Sequence, residues 1–217
     1  MNPIFAQLPS VLPETAEPYY QAFYPACTKG DISAQNAAAL YAGIERLYLA
    51  TDEPVIKSYC LLYYGAVVDT KVLDGKTLAS LGQFLSEFLA DLEDYRVKTP
   101  AGHYVHYLSH AAYLGQAIHE AGGPIKWQPL LAAYLRADIA FTWNEDVVLA
   151  ECLLALVPAN DFKGLLARLK GHESEGAKAS NKRALWMAMK VINERAPRHD
   201  GTAFSALVQE VMDMVGA

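Results

Sequence analysis

Two stretches of this chain have no side that tolerates water. Tyr59-Cys60-Leu61-Leu62-Tyr63-Tyr64-Gly65-Ala66-Val67-Val68 carries no charge, and Val147 to Val157 carries only Glu151. A helix that is apolar all round is stable only when neighbours cover both its flanks. The rest of the chain must therefore supply covering helices, and it reads as a series of them.

Ser33 caps a helix predicted over about 34–50, with Leu40, Ile44, Leu47 and Tyr48 on one side. Thr51-Asp52-Glu53-Pro54 restarts the chain with acids at the positive helix end, giving a helix over about 53–69. Asp74-Gly75 opens a third, about 76–95, whose Leu78, Leu81, Leu85, Phe88, Leu92 and Tyr95 step by three and four. Further helices are expected over about 128–143, 145–157, 161–170, 177–195 and 202–214. Ala, Leu and Tyr dominate the 53% hydrophobic content, which favours helix over sheet.

The stretch Thr99 to Pro124 holds four of the six histidines. Thr99 suits an N-cap and Pro100 a first helical position, while Gly122-Gly123-Pro124 is a stop, so one helix is predicted between them. At about 100° per residue, His103, His106 and His110 share an arc of roughly 60°. The rise from 103 to 110 is about 10 Å, too long for one ion to take all three. His103 with His106, or His106 with His110, are the pairs that suit a transition metal such as zinc, with further ligands from another helix. His-Glu-x-x-His and Glu-x-x-His are absent. The other reading is a structural His–Tyr hydrogen-bonded face.

Residues 1–33 hold five of the eleven prolines. They are expected to form a proline-rich arm with at most one short helix near Tyr19 to Tyr24, laid across a single all-helical domain over 34–217. The fold class is all-α, with about nine helices. Helix pairs recur every forty to fifty residues or so, a spacing that resembles HEAT-type or armadillo-type repeats. A two-layer HEAT-like stack and a compact helical bundle both fit.

The net charge of −6 opposes general affinity for nucleic acid or anionic membrane surfaces. No basic-then-apolar leader opens the chain, and no apolar run approaches the ~18 residues of a membrane span. Cys27, Cys60 and Cys152 are an odd, widely spaced set, which suits reduced thiols and a cytoplasmic location. Phosphate-cradling glycine loops and nucleophile elbows are also absent.

These features favour a non-catalytic protein that binds a basic partner, for example an immunity-type inhibitor of a toxin. The expected contact is the acidic back of the third helix, Glu87, Asp91 and Asp94 with Glu93, the densest acidic patch of the chain. The alternative is a helical metal- or small-molecule-binding enzyme that uses His103, His106 and His110, with Tyr63, Tyr107 or Tyr113 lining its pocket.

Overall fold

Caps set the helix starts. The computed structural model describes residues 2–30, 32–158, 161–171 and 175–195. Within it, Ser33 Oγ accepts from the Asn36 N–H (3.2 Å) and Asp74 Oδ1 from the Thr77 N–H (2.7 Å), each closing an otherwise open helix end. The described residues form ten α-helices: α1 Pro3–Ala6, α2 Ala16–Thr28, α3 Ala34–Ala50, α4 Pro54–Val68, α5 Gly75–Ala90, α6 Tyr107–Glu120, α7 Gln128–Arg136, α8 Glu145–Leu156, α9 Phe162–Gly171 and α10 Gly176–Arg195. The helix predicted over 202–214 lies outside the described residues.

The arrangement is two-layered. Helices α2, α4, α6, α8 and α10 pack side by side in one row, each against the next. Helix α3 lies on α4, α5 on α6, and α7 against α5, α6 and α10. The two all-apolar segments, α4 and α8, are inner members of the row. Twelve of the fifteen residues of α4 are buried, which is what a helix without a polar side requires.

The first thirty residues are more ordered than their prolines suggest. Helix α2 runs for 13 residues. Pro18 falls in its first turn, where the missing N–H costs nothing, and Pro25 falls in its last. Tyr19, Phe23 and Cys27, four apart, are buried together with Phe5 and Leu8. The Tyr19 hydroxyl donates to the Ile4 carbonyl (3.0 Å), and the Tyr63 hydroxyl, from α4, to that of Ala16 (3.1 Å).

Three helices are shorter than their sequence patterns predict, each for an identifiable reason. Helix α5 stops at Ala90, where the Arg136 guanidinium donates to the Leu89 (2.6 Å) and Ala90 (3.3 Å) carbonyls. Beyond it, Asp94 Oδ1 accepts from the Arg96 N–H (3.1 Å), an Asx turn that competes with helix. Helix α7 stops at Arg136 because Asn181 of α10 captures the following segment. Its side chain donates to the Ile139 carbonyl (2.8 Å) and accepts from the Phe141 N–H (3.0 Å).

The third case is the histidine segment. Helix α6 starts at Tyr107, seven positions after Pro100. Thr99-Pro100-Ala101-Gly102 is a tight turn, closed by the Gly102 N–H on the Thr99 carbonyl (2.9 Å). Proline's fixed φ serves the second position of a β-turn as well as a helix start, and Gly102 at φ +88° leaves the helical region. An antiparallel bridge pairs Lys98 with Tyr104. The predicted stop is present: the Gly123 N–H reaches the Ile118 carbonyl (2.8 Å) and the Gly122 N–H that of His119 (2.9 Å), a Schellman motif.

Among the described residues no helix is long and apolar enough to cross a membrane. Cys27, Cys60 and Cys152 are buried and unpaired.

The α4–α6 contact depends on Gly65. A Cβ there would overlap the Tyr113 ring, and that ring cannot swing away because its hydroxyl donates to Asp69 Oδ2 (2.6 Å). Gly65→Ala is therefore expected to lower stability by about 1–3 kcal/mol, the range for overpacked cores. Urea denaturation checks this; an unchanged midpoint would contradict it.

Candidate functional site

Four elements converge on one open cleft of about 500 Å³. Helix α2 contributes Glu17, Tyr20 and Gln21, and α4 contributes Tyr59 and Leu62. Tyr104 and His106 come from the segment before α6, and His110 from its first turn. Trp143 stands just before α8 and is 48% exposed. Asn144 takes the left-handed conformation (φ +65°), which asparagine tolerates, so the chain can turn into α8 immediately behind that ring.

The histidine side of the cleft is held by two anchors. Ser58 is fully buried, and its hydroxyl donates to the Val105 carbonyl (2.6 Å). His110 Nδ1 lies 3.1 Å from the Ser58 carbonyl and 2.8 Å from its Oγ. A carbonyl only accepts and the single hydroxyl proton is already used, so Nδ1 carries the hydrogen and Nε2 is a bare acceptor. Burial, then the neighbouring His106, push the His110 pKa down to about 3, against a weaker opposing pull from the Ser58 carbonyl. The ring is neutral near pH 7.

The second anchor is Glu145, the first residue of α8, only 2% exposed. Its Oε1 accepts from His106 Nδ1 (3.3 Å) and its Oε2 from the Trp143 N–H (2.9 Å). Burial alone would raise this carboxyl. The bond from His106 and the backbone N–H groups of Glu145 and Trp143 outweigh it and hold the pKa below the ordinary value, so the carboxylate is ionised. With Nδ1 turned to Glu145, Nε2 is the ring nitrogen of His106 that remains.

Aromatic faces complete the site. Tyr104 stacks on His106 (centroids 5.2 Å apart, planes at 15°) and meets Trp143 edge to face (5.5 Å, 72°). Tyr59 meets His110 edge to face at 5.2 Å, and the two imidazoles are 5.9 Å apart. Burial first, then the charge of Glu17, push the Tyr59 phenol up, so it stays protonated. The Lys98 ammonium sits over two of these rings, 4.5 Å from the centroid of Tyr104 and 4.7 Å from that of Trp143.

The arrangement holds no activated nucleophile. The Ser58 proton points to a carbonyl and His110 donates toward Ser58, the reverse of what a serine–histidine pair needs. Burial pushes the three cysteine thiols up to about 12, and none lines the cleft.

The residues expected from the sequence are distributed differently. His106 and His110 share the cleft, whereas His103 sits at the tight turn, its N–H on Thr99 Oγ1 (3.2 Å). Among the described residues no group of three or more His, Cys, Asp and Glu side chains comes together to hold a metal ion. Of the four acids, only Glu87 lies in α5, exposed and bonded to Gln83 (2.9 Å). Asp91 is that helix's C-cap, Glu93 is exposed, and Asp94 pairs with Arg96 (2.7 Å). They do not form one helix stripe, because the helix ends before three of them.

Tyr63 and Tyr107 are buried and Tyr113 is bonded to Asp69, so none of the three lines the cleft. Sequence reasoning missed the cleft residues Glu17, Tyr20, Gln21, Tyr59, Leu62, Tyr104 and Trp143, and the anchor Glu145. A helix start near position 145 was legible, but the partner of Glu145 lies 39 positions away. No protein-family model, curated protein or solved structure matches the chain.

His110 makes stability depend on pH. Its unfolded-state pKa is near the ordinary 6.5 and its folded value is about 3. Between these values the unfolded chain binds one proton more than the native chain, so stability falls as pH drops through that window. The slope from one such group approaches 1.4 kcal/mol per pH unit, to order of magnitude. His110→Asn keeps a donor toward Ser58 and removes the titration, and is expected to flatten the pH dependence of the urea midpoint between about pH 4 and pH 6. An equally steep dependence in this variant would contradict the assignment.

Proposed function

We propose that this chain is a non-catalytic recognition protein for a basic protein partner, and that an arginine or lysine side chain of the partner enters the aromatic–imidazole cleft. An immunity-type inhibitor that neutralises a basic toxin is the concrete form that best suits an acidic, all-helical chain. The observation that carries this reading is Lys98. A cation already rests on the faces of Tyr104 and Trp143, at the distances of cation–π attraction.

The rest of the cleft supports it. Glu17 supplies negative charge, and the Nε2 atom of the neutral His110 ring is an acceptor that suits a guanidinium or ammonium. An exposed tryptophan beside tyrosines is the composition of an interaction hot spot. Glu87, Asp91, Glu93 and Asp94 remain in the proposal as surface charge that speeds the encounter, outside any single binding stripe.

A labelled arginine-rich peptide and an acidic peptide of equal length, followed by fluorescence anisotropy, test the reading. The basic peptide is expected to bind, more weakly as salt rises, and to lose about tenfold in affinity in Trp143→Ala and in Glu17→Gln. Equal binding of both peptides, or variants that bind like the parent, would contradict it.

A second reading is a small-molecule or metal-dependent enzyme centred on His106 and His110. One observation favours it: each imidazole has its Nδ1 tied to a fixed acceptor, Glu145 or Ser58, as metal-bound and acid–base histidines do. Elemental analysis of untagged protein separates the readings. Stoichiometric zinc that is lost in His106→Ala would favour the second.

A further inference from the structure

The molecule has another concave surface, with the opposite electrostatic character. Two adjoining clefts of about 450 and 580 Å³ run along the outer side of α7 and share Gln128, Ala132, Arg136 and Arg168. One is walled by Ser86 and Ala90 of α5, the other by Gly171 of α9. Leu131 and Leu135 line the second, and Ala132 is exposed between the two. The shared residues make this one continuous groove. Its length is that of nine residues of α7, about 13 Å at the helical rise.

Three cations line the groove: Lys126, Arg136 and Arg168. Among its described lining residues there is no carboxylate. That segregation is unexpected on a chain of net charge −6. None of the three cations forms an ion pair among the described residues. The two arginines are nevertheless held in place. Arg136 is fixed on the last carbonyls of α5, and the Arg168 guanidinium lies 5.8 Å from the Trp127 ring. Asp161, on that same ring, accepts from Trp127 Nε1 (2.9 Å), so its charge is engaged there.

We infer that this groove docks an acidic amphipathic helix of a protein partner. Charge complementarity selects the occupant: carboxylates along the helix flanks meet Lys126, Arg136 and Arg168. Apolar side chains three and four apart on that helix meet the exposed Ala132, over a floor formed by the buried Leu131 and Leu135. The small exposed Ala132 lets the two helix axes approach closely. The groove spans more than two helical turns, enough for two successive anchors. The inference is independent of the cleft beside His106, since the two sites share no residue.

The probe is a labelled 14-residue helical peptide with leucines three and four apart and glutamates on both flanks, paired with a second peptide bearing lysine at every glutamate. Anisotropy against the full chain is expected to show the acidic peptide binding and the basic one failing to compete for this groove. Arg168→Glu and Lys126→Glu are each expected to weaken the acidic peptide about tenfold, while Trp143→Ala leaves it unchanged. Lys126 is exposed, so its variant keeps the packing even if Arg168→Glu disturbs Trp127. Unchanged affinity in Lys126→Glu, or loss of the acidic peptide in Trp143→Ala, would overturn the inference. So would an oligothymidylate that binds through Lys126 and Arg168 where the acidic peptide does not.

Discussion

Three polar groups in an otherwise apolar interior hold the cleft side of the molecule together. Ser58 sits in the second turn of a helix buried on nearly every side, and it is one of few buried polar residues. Its hydroxyl holds the Val105 carbonyl and its backbone carbonyl accepts from His110. One residue of α4 thus fixes both the non-helical approach to α6 and the first turn of α6. A buried donor or acceptor left unpaired costs about 1–3 kcal/mol, so this triangle is strongly selected over other ways of entering the helix. The positions of Tyr104 and His106, which flank Val105 just before α6, follow from it.

The second constraint is the ionised carboxylate of Glu145. A buried charge persists only when it is well bonded, and Glu145 gathers His106 and the Trp143 N–H around it. It therefore ties α8 to the segment entering α6 and turns Trp143 toward the ring stack. The bonds that keep this charge ionised also set the walls of the cleft. The reading of the cleft as a cation receptor rests on that composition and on the Tyr104 and Trp143 rings, over which the Lys98 ammonium already lies. The groove along α7 has the inverse composition, apolar with a cationic rim, so the chain presents two chemically distinct faces.

Much of the helical architecture was legible in the sequence because it follows from side-chain periodicity. The all-apolar runs that became α4 and α8, the Ser33 and Asp74 caps, and the Gly122-Gly123 stop each depend on residues close in the chain. The misplaced ends depend on distant partners or on residues with two uses. Pro100 fits a helix start and a turn equally well, and Gly102 decides between them. Leu92 and Tyr95 continue the apolar stripe of α5, yet Arg136 and the Asp94 turn end the helix first. Asn181 stops α7 from forty residues away or more. The cleft was half visible: His106 and His110 were identified, but their anchors Glu145 and Ser58 are 39 and 52 positions distant. An acidic stripe inferred from helical spacing disappears once the helix ends at Ala90.

The cleft as described requires His110 to be a neutral ring with Nδ1 turned to Ser58. Long-range ¹H–¹⁵N correlation spectra of the histidine side chains observe that state directly. The expected spectrum has His110 as the Nδ1–H tautomer, with an unprotonated Nε2, unchanged from about pH 8 down to about pH 4, in keeping with its depressed pKa. An Nε2–H tautomer, or an imidazolium at about pH 6, would contradict the Ser58 anchor and the cleft built upon it.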